Sequence, residues 1–140
     1  MIELYQAYGD LSDMMSLVED LFFFVAREVT GSQVINYQGV EIDLTPPWTR
    51  LPMLEAIQAE TGLDWLEIKT DEEALAAGER LGIDLKGKNT KGQVLDEIVS
   101  EFVEPKLIQP TFLVDYPLEI SPLAKRKKDQ PELTERFEVF

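Results

Sequence analysis

The stretch that decides the fold opens the chain: Met1-Ile2-Glu3-Leu4-Tyr5-Gln6-Ala7-Tyr8-Gly9. Its alternating pattern predicts a β-strand in which Glu3 and Tyr5 share one face, followed there only by small residues. That face carries a carboxylate and a phenol beside a shallow floor, which suits a small polar ligand. The same alternation is the ordinary pattern of an edge strand with one face in water. The residues of this stretch leave both interpretations open.

Composition excludes several classes of site. The 140 residues contain no Cys and no His, so they hold no disulfide, thiolate metal site, Cys nucleophile or imidazole base. A formal charge of −14, from 27 acidic and 13 basic residues, argues against binding the phosphate backbone of a nucleic acid. No apolar run approaches the roughly 20 residues of a membrane-spanning helix. The length is that of one ordinary domain.

A helix is predicted over residues 11–30. Asp10 is a suitable N-cap, Asp13 follows in the first turn, and Gly31 is the expected stop. Apolar residues recur at three- and four-residue spacing and form one stripe. Phe23 and Phe24 widen that stripe, so we expect the helix to be buried on more than one side.

A hairpin and a group of helices are predicted next. Two β-branched runs, 34–37 and 40–44, flank Gln38-Gly39, a pattern typical of a β-hairpin. A helix then begins near Pro52, and capping boxes at Thr70 and Thr90 begin two more. Residues 49–106 are therefore predicted to form a small helical insertion.

Two further features of the chain have ordinary explanations. Gly87, Lys88 and Gly92 are reminiscent of a phosphate loop, yet their spacing does not match the Walker pattern. The basic cluster of the chain is Lys125-Arg126-Lys127-Lys128. A charge run of this kind is usually a solvated loop, and we interpret it so.

Strands are predicted near the end of the chain as well as at its start. Residues 111–116 lie between two prolines and have an almost continuous apolar centre, as in a strand buried on both faces. Residues 136–140 have a strand pattern up to the last residue. Strand patterns at both ends favour a segment of a larger sheet. We expect self-association through the unpaired edges or through the apolar region at 22–25.

Three stretches resemble the class II lysyl-tRNA synthetases, in the order in which that family has them. The first, similar to the end of motif 2, is Glu3-Leu4-Tyr5-Gln6-Ala7-Tyr8, followed by Asp10 and Asp13-Met14-Met15. The others are Leu107-Ile108-Gln109-Pro110-Thr111-Phe112 with Asp115-Tyr116-Pro117 and Ser121-Pro122-Leu123-Ala124-Lys125, and Leu133-Thr134-Glu135-Arg136-Phe137-Glu138-Val139-Phe140. The resemblance implies an α+β fold, part of the antiparallel-sheet catalytic domain between motifs 2 and 3.

The resemblance also divides the chain. Residues 1–44 would hold the motif 2 return strand, a helix and a hairpin; 49–106 the helical insertion; and 107–140 the return to the core sheet. The motif 2 arginine, motif 1, motif 3 with its ATP-binding arginine and the anticodon-binding domain have no counterpart in these residues. We therefore expect the 140 residues to be inactive alone and assign them no catalytic, cofactor-binding or metal-binding residue.

For the complete enzyme the resemblance implies a lysine–tRNA ligase of the cytoplasm. Such an enzyme uses ATP and Mg²⁺ to form lysyl-adenylate, transfers lysine to tRNA(Lys) and works as a homodimer. No side-chain nucleophile is needed, since positioning and charge stabilisation carry the reaction. Neither ATP nor Mg²⁺ is expected to bind tightly to these 140 residues.

Two residues fall on positions where the family contacts its lysine substrate, Glu3 and Tyr5. The chemistry agrees, because each ammonium group of lysine is a donor that a carboxylate or a phenol oxygen can accept. Asp115, Glu119 and Ser121 lie in a family-like segment, where we expect structural roles.

Two alternatives to a lysine–tRNA ligase stay open. One is a stand-alone relative without catalytic activity, a regulatory or partner-binding module. The other is a synthetase-like ligase that attaches lysine to a protein, although such relatives usually lack a helical insertion of this kind.

Overall fold

Helices and strands follow one another in the order that local signals predict for most of the chain. The structure is a computed structural model that describes residues 3–140. Its helices are α1 (Leu11–Thr30), α2 (Met53–Thr61), α3 (Asp71–Leu81) and α4 (Lys91–Ile98), and its strands are β1 (Val34–Tyr37), β2 (Val40–Asp43), β3 (Thr49–Pro52), β4 (Thr111–Val114) and β5 (Phe137–Val139). Backbone contacts divide the chain into two units, Met1–Thr49 and Arg50–Phe140.

Helix α1 has the predicted bounds. Asp10 and Asp13 form a reciprocal capping box at its start, and Gly31 ends it in the left-handed conformation at φ 76°. The predicted burial is wrong, however: apart from Met15, Glu19 and Ala26, the side chains of this helix are exposed or half-buried. Periodicity identifies the apolar side of a helix but not whether a neighbouring element covers it.

The hairpin of the first unit is confirmed. Strands β1 and β2 are antiparallel, with Val34 opposite Asp43 and Tyr37 opposite Val40. Gln38 and Gly39 both have positive φ, 51° and 89°, as in the two-residue turns that match the twist of a hairpin.

The predicted strand over residues 1–9 is wrong for the part that the structure describes. Residues 3–6 have no regular secondary structure, and a turn follows in which Tyr8 has φ 61°. A strand is stabilised by backbone hydrogen bonds to a neighbour, and within residues 3–140 no strand pairs with this stretch. Met1 and Ile2 lie outside the described residues.

In the second unit the predicted capping boxes begin α3 and α4. The hydroxyls of Thr70 and Thr90 accept the N–H of the residue three positions on, and the side chains of Glu73 and Gln93 return the contact. After α4 one π-helical turn, Val99–Val103, leads into a short 3-10 helix, Glu104–Lys106. The predicted helical pattern is therefore confirmed, except that 49–52 is the strand β3.

A single hydrophobic core joins the helices to the end of the chain. Its largest members from residues 53–106, the helical part of this unit, are Met53, Ile57, Trp65, Leu95 and Ile98. Residues 107–140 form the return segment, and its Leu113 and Tyr116 belong to the same cluster. The insertion boundary at residue 106 therefore stays a prediction, because no gap in packing marks it.

Strands β3, β4 and β5 form a sheet in that order, with β4 in the centre and antiparallel to β5. All four residues of β4 are buried, as the apolar pattern predicts. The strand ends two residues earlier than its pattern suggests, because Asp115 has φ 60° and turns the backbone. The α+β fold class is confirmed.

Candidate functional site

The predicted site residues lie just before α1. Glu3 and Tyr5 are both exposed, Tyr5 by 93% of its surface. The helix that follows is fixed by its cap: the Asp10 carboxylate accepts the N–H of Ser12 at 2.8 Å and of Asp13 at 3.1 Å. The two candidate ligands of lysine are therefore joined by a short irregular segment to a well-defined helix start.

These residues offer lysine acceptors without an enclosure. The Glu3 carboxylate can accept hydrogen bonds from an ammonium group, and the Tyr5 phenol oxygen can accept another. Water and salt weaken an ion pair at an exposed carboxylate, so such a contact alone contributes little.

The acidic side chains of residues 3–140 include no group of three or more Asp and Glu close enough together to hold a metal ion. Magnesium is usually bound in enzymes by only one or two carboxylates together with substrate phosphates. Among the same residues, no helix is long and apolar enough to cross a membrane.

Lysines of the loop at 87–92 and of the basic run at 125–128 have carboxylate partners. Lys88 pairs with Glu97, and the ammonium groups of Lys125 and Lys127 each lie 2.7 Å from a carboxylate, on Glu135 and Asp115 respectively. Lys125, Arg126 and Lys128 are exposed, and Lys127 is half-buried. The run lies at the surface, and two of its four residues, Lys125 and Lys127, form ion pairs within the chain.

Two buried residues that follow β4, Tyr116 and Ser121, contact the half-buried Arg136. Arg136 lies with its guanidinium carbon 4.4 Å from the centre of the Tyr116 ring, and it donates to the Ser121 hydroxyl at 2.6 Å. Burial raises the pKa of Tyr116 well above its ordinary value, and the negative charge of Glu138 adds to this effect. The contacts of Ser121 and Tyr116 are therefore internal to the chain.

Sequence reasoning missed a buried carboxylate in the first unit. Glu19 is only 4% exposed, and its Oε1 accepts the backbone N–H of Trp48 at 2.7 Å. The Trp48 indole in turn donates to the Leu44 carbonyl at 3.1 Å, and its ring meets Phe22 edge to face. Its position could have indicated its burial, because Glu19 lies four residues after Met15, on the buried side of α1.

Comparison with known proteins gives one consistent result. The family model described as tRNA synthetases class II (D, K and N) matches residues 1–140. Lysine–tRNA ligases of Pelotomaculum thermopropionicum and Thermoanaerobacter pseudethanolicus are 56% and 53% identical over the whole chain, which spans 28% of each. That of Moorella thermoacetica is 51% identical, and the chain spans 29% of it. The chain therefore belongs to the family of class II tRNA synthetases for aspartate, lysine and asparagine.

Proposed function

We propose that these residues are part of a lysine–tRNA ligase. The observation that carries the proposal is similarity over the whole chain to lysine–tRNA ligases, at 56% identity in the Pelotomaculum protein. Since the chain spans less than a third of those proteins, the activity belongs to the longer protein. Cytoplasmic location and a homodimeric enzyme are part of the same proposal.

The proposed reaction has two steps. A carboxylate oxygen of lysine attacks the α-phosphorus of ATP, a bond forms between them, and pyrophosphate leaves to give lysyl-adenylate. A hydroxyl of the terminal adenosine of tRNA(Lys) then attacks the lysyl carbonyl carbon, and AMP leaves. ATP, with Mg²⁺, and tRNA would be held largely by parts of the longer protein, because the chain spans 28% of the Pelotomaculum ligase.

The role proposed for Glu3 and Tyr5 is recognition of lysine. Both are exposed and therefore accessible to a ligand. A carboxylate and a phenol together accept the hydrogen bonds of an ammonium group, and an acidic wall favours lysine over the acidic or neutral amino acids of the same family. The pair would need further walls to exclude water and strengthen these contacts.

A chimaeric enzyme tests this function. Residues 1–140 would replace the matching segment of the Pelotomaculum lysine–tRNA ligase, and aminoacylation would be measured with lysine, aspartate and asparagine. We expect charging with lysine. Charging with another amino acid would contradict the proposal.

The same chimaera tests Glu3. The variant Glu3→Gln keeps the size of the side chain but removes its charge, so we expect the KM for lysine to rise by about tenfold or more, as for loss of a charge-assisted hydrogen bond. Asp20→Asn, at an exposed carboxylate on α1, is the matched control. An unchanged KM in Glu3→Gln would remove this residue from the site while leaving the family function intact.

A further inference from the structure

Glu119 links two parts of the second unit through both of its carboxylate oxygens. The residue lies in the short 3-10 helix Leu118–Ile120 of the return segment. Its Oε1 accepts the indole N–H of Trp65 at 2.8 Å, and its Oε2 lies 3.5 Å from the Lys91 ammonium. That ammonium is also 5.3 Å from the centre of the Trp65 ring. Each of the three side chains therefore contacts the other two.

The partners of Glu119 come from the helical part of the chain. Trp65 begins the 3-10 helix Trp65–Glu67, and Lys91 is the first residue of α4. Trp65 is only 1% exposed, so its indole N–H depends on a protein acceptor. Breaking the contact with Glu119 would leave a buried donor unpaired, which gives the closed arrangement a clear energetic preference.

The backbone also approaches closely at this point. Gly92 follows Lys91, and a Cβ atom there would lie 3.1 Å from Cγ2 of Ile120 and 3.5 Å from the carbonyl oxygen of Glu119. Only glycine lets the start of α4 lie so near the short helix that carries Glu119 without a neighbour shifting. The position of Glu119 relative to α4 therefore depends on Gly92 in α4 and on Ile120 next to Glu119.

An open pocket of about 330 Å³ lies beside this polar cluster. Leu54 and Leu66 line its helical side, Pro117, Leu118 and Leu133 line the opposite side, and Trp65, Lys91 and Glu119 of the cluster also line it. Along this edge the pocket separates the two sides, and the polar cluster connects them directly.

We infer that Glu119, Trp65 and Lys91 act as a clasp that closes this edge of the second unit. When the clasp is intact, the helical part is fixed to residues 117–121. When it is broken, the edge opens locally while the sheet of β4 and β5 stays formed, since that sheet is held by its own backbone pairing. The clasp is a conformational device that is independent of the lysine contacts proposed for Glu3 and Tyr5.

Hydrogen exchange of the Trp65 indole proton tests the clasp. The 140-residue chain has two tryptophans, so its two indole signals can be assigned by NMR with a Trp48→Phe variant. In Glu119→Ala we expect the Trp65 indole proton to exchange about tenfold faster or more, while the amides of β4 keep their protection. Glu97→Ala is the matched control, because Glu97 is similarly exposed and pairs with Lys88 within the helical part.

A second variant separates the hydrogen bond from the charge. Glu119→Gln retains an oxygen that can accept from the indole, so Trp65 should stay protected. Unchanged indole exchange in Glu119→Ala would overturn the clasp. Equal acceleration in Glu97→Ala, or loss of protection throughout β4, would also overturn it, because the effect would then be general loosening. If Glu119→Ala does not fold, rapid indole exchange in folded Glu119→Gln has the same consequence.

Discussion

A buried carboxylate on α1 fixes the chain after the hairpin. Glu19 accepts the Trp48 backbone N–H, so the two residues connect the helix to the segment that leaves β2. We expect Glu19→Ala to lower the free energy of unfolding by about 1–3 kcal/mol, the cost of removing the acceptor of a buried donor. Urea unfolding measures this change. Glu19→Gln, which keeps an acceptor, should cost less, and Asp20→Ala, one residue on and exposed, is the control. Equal losses in all three would contradict this role.

Tyr116 should make the second unit sensitive to alkaline pH. Burial raises its pKa, so the folded chain keeps the phenol proton at a pH where the unfolded chain has lost it. The raised pKa therefore costs no stability below about pH 10, the ordinary pKa of tyrosine. Above that pH the free energy of unfolding falls, because only the unfolded chain releases the phenol proton.

The variant Tyr116→Phe should change how steeply the urea midpoint falls with pH. In Tyr116→Phe the urea midpoint should fall less steeply above pH 10 than in the unmodified chain, even if the variant is less stable at neutral pH. The measurement is a series of urea titrations between neutral and alkaline pH. Tyr37→Phe, at an exposed tyrosine, is the control. Parallel curves for Tyr116→Phe and the unmodified chain would show that this phenol is not responsible.

At the scale of elements, α1 combines a confirmed boundary with an uncovered surface. Leu21, Phe22, Phe24, Val25 and Val29 are all exposed, and exposed apolar residues grouped on one helix are typical of an interaction surface. We propose that copies of the chain associate through this face. Phe24→Lys should weaken the association, because Phe24 is 62% exposed and its charged replacement would have to be desolvated at the contact.

Light scattering over a range of concentrations measures this association. The control is Leu123→Lys, which changes a fully exposed apolar residue in the second unit. A mass that equals that of the monomer at every concentration would contradict the proposal. So would equal effects of the two substitutions, because the contact would then not be specific to α1.

Local signals predicted the elements well and their surroundings poorly. Asp10, Gly31, Thr70 and Thr90 act on backbone groups within four residues of themselves, so the sequence contains everything needed to locate those helix ends. A strand depends on a partner that is distant in sequence. Alternation could therefore suggest a strand at 1–9, which the described residues do not form, and could not identify β3 at Thr49–Pro52.

The candidate site was predictable only in part for a related reason. The resemblance supplied Glu3 and Tyr5, and the structure places both at the surface. Their role depends on residues that would enclose a ligand, and no pattern within nine residues contains that information. The clasp was equally hidden, because Trp65 and Glu119 are far apart in sequence and only the fold brings them together.

At the scale of the whole molecule, the 140 residues should not activate lysine. They match the model of class II tRNA synthetases over residues 1–140, but they span only 28% of the Pelotomaculum enzyme. We expect no lysine-dependent exchange between ATP and pyrophosphate, since charge stabilisation at the phosphates would be missing. The exchange assay measures this directly. The chimaeric enzyme is the positive control, and robust exchange by the chain alone would refute the prediction.

The shared core of the second unit limits how such an enzyme can be shortened. Leu113 and Tyr116 are 0% and 4% exposed because the helices between β3 and β4 cover them. Deletion of those helices would expose Leu113 and Tyr116 to water. A smaller synthetase would therefore need polar replacements at these positions, and protein engineers should treat Arg50–Phe140 as one indivisible block.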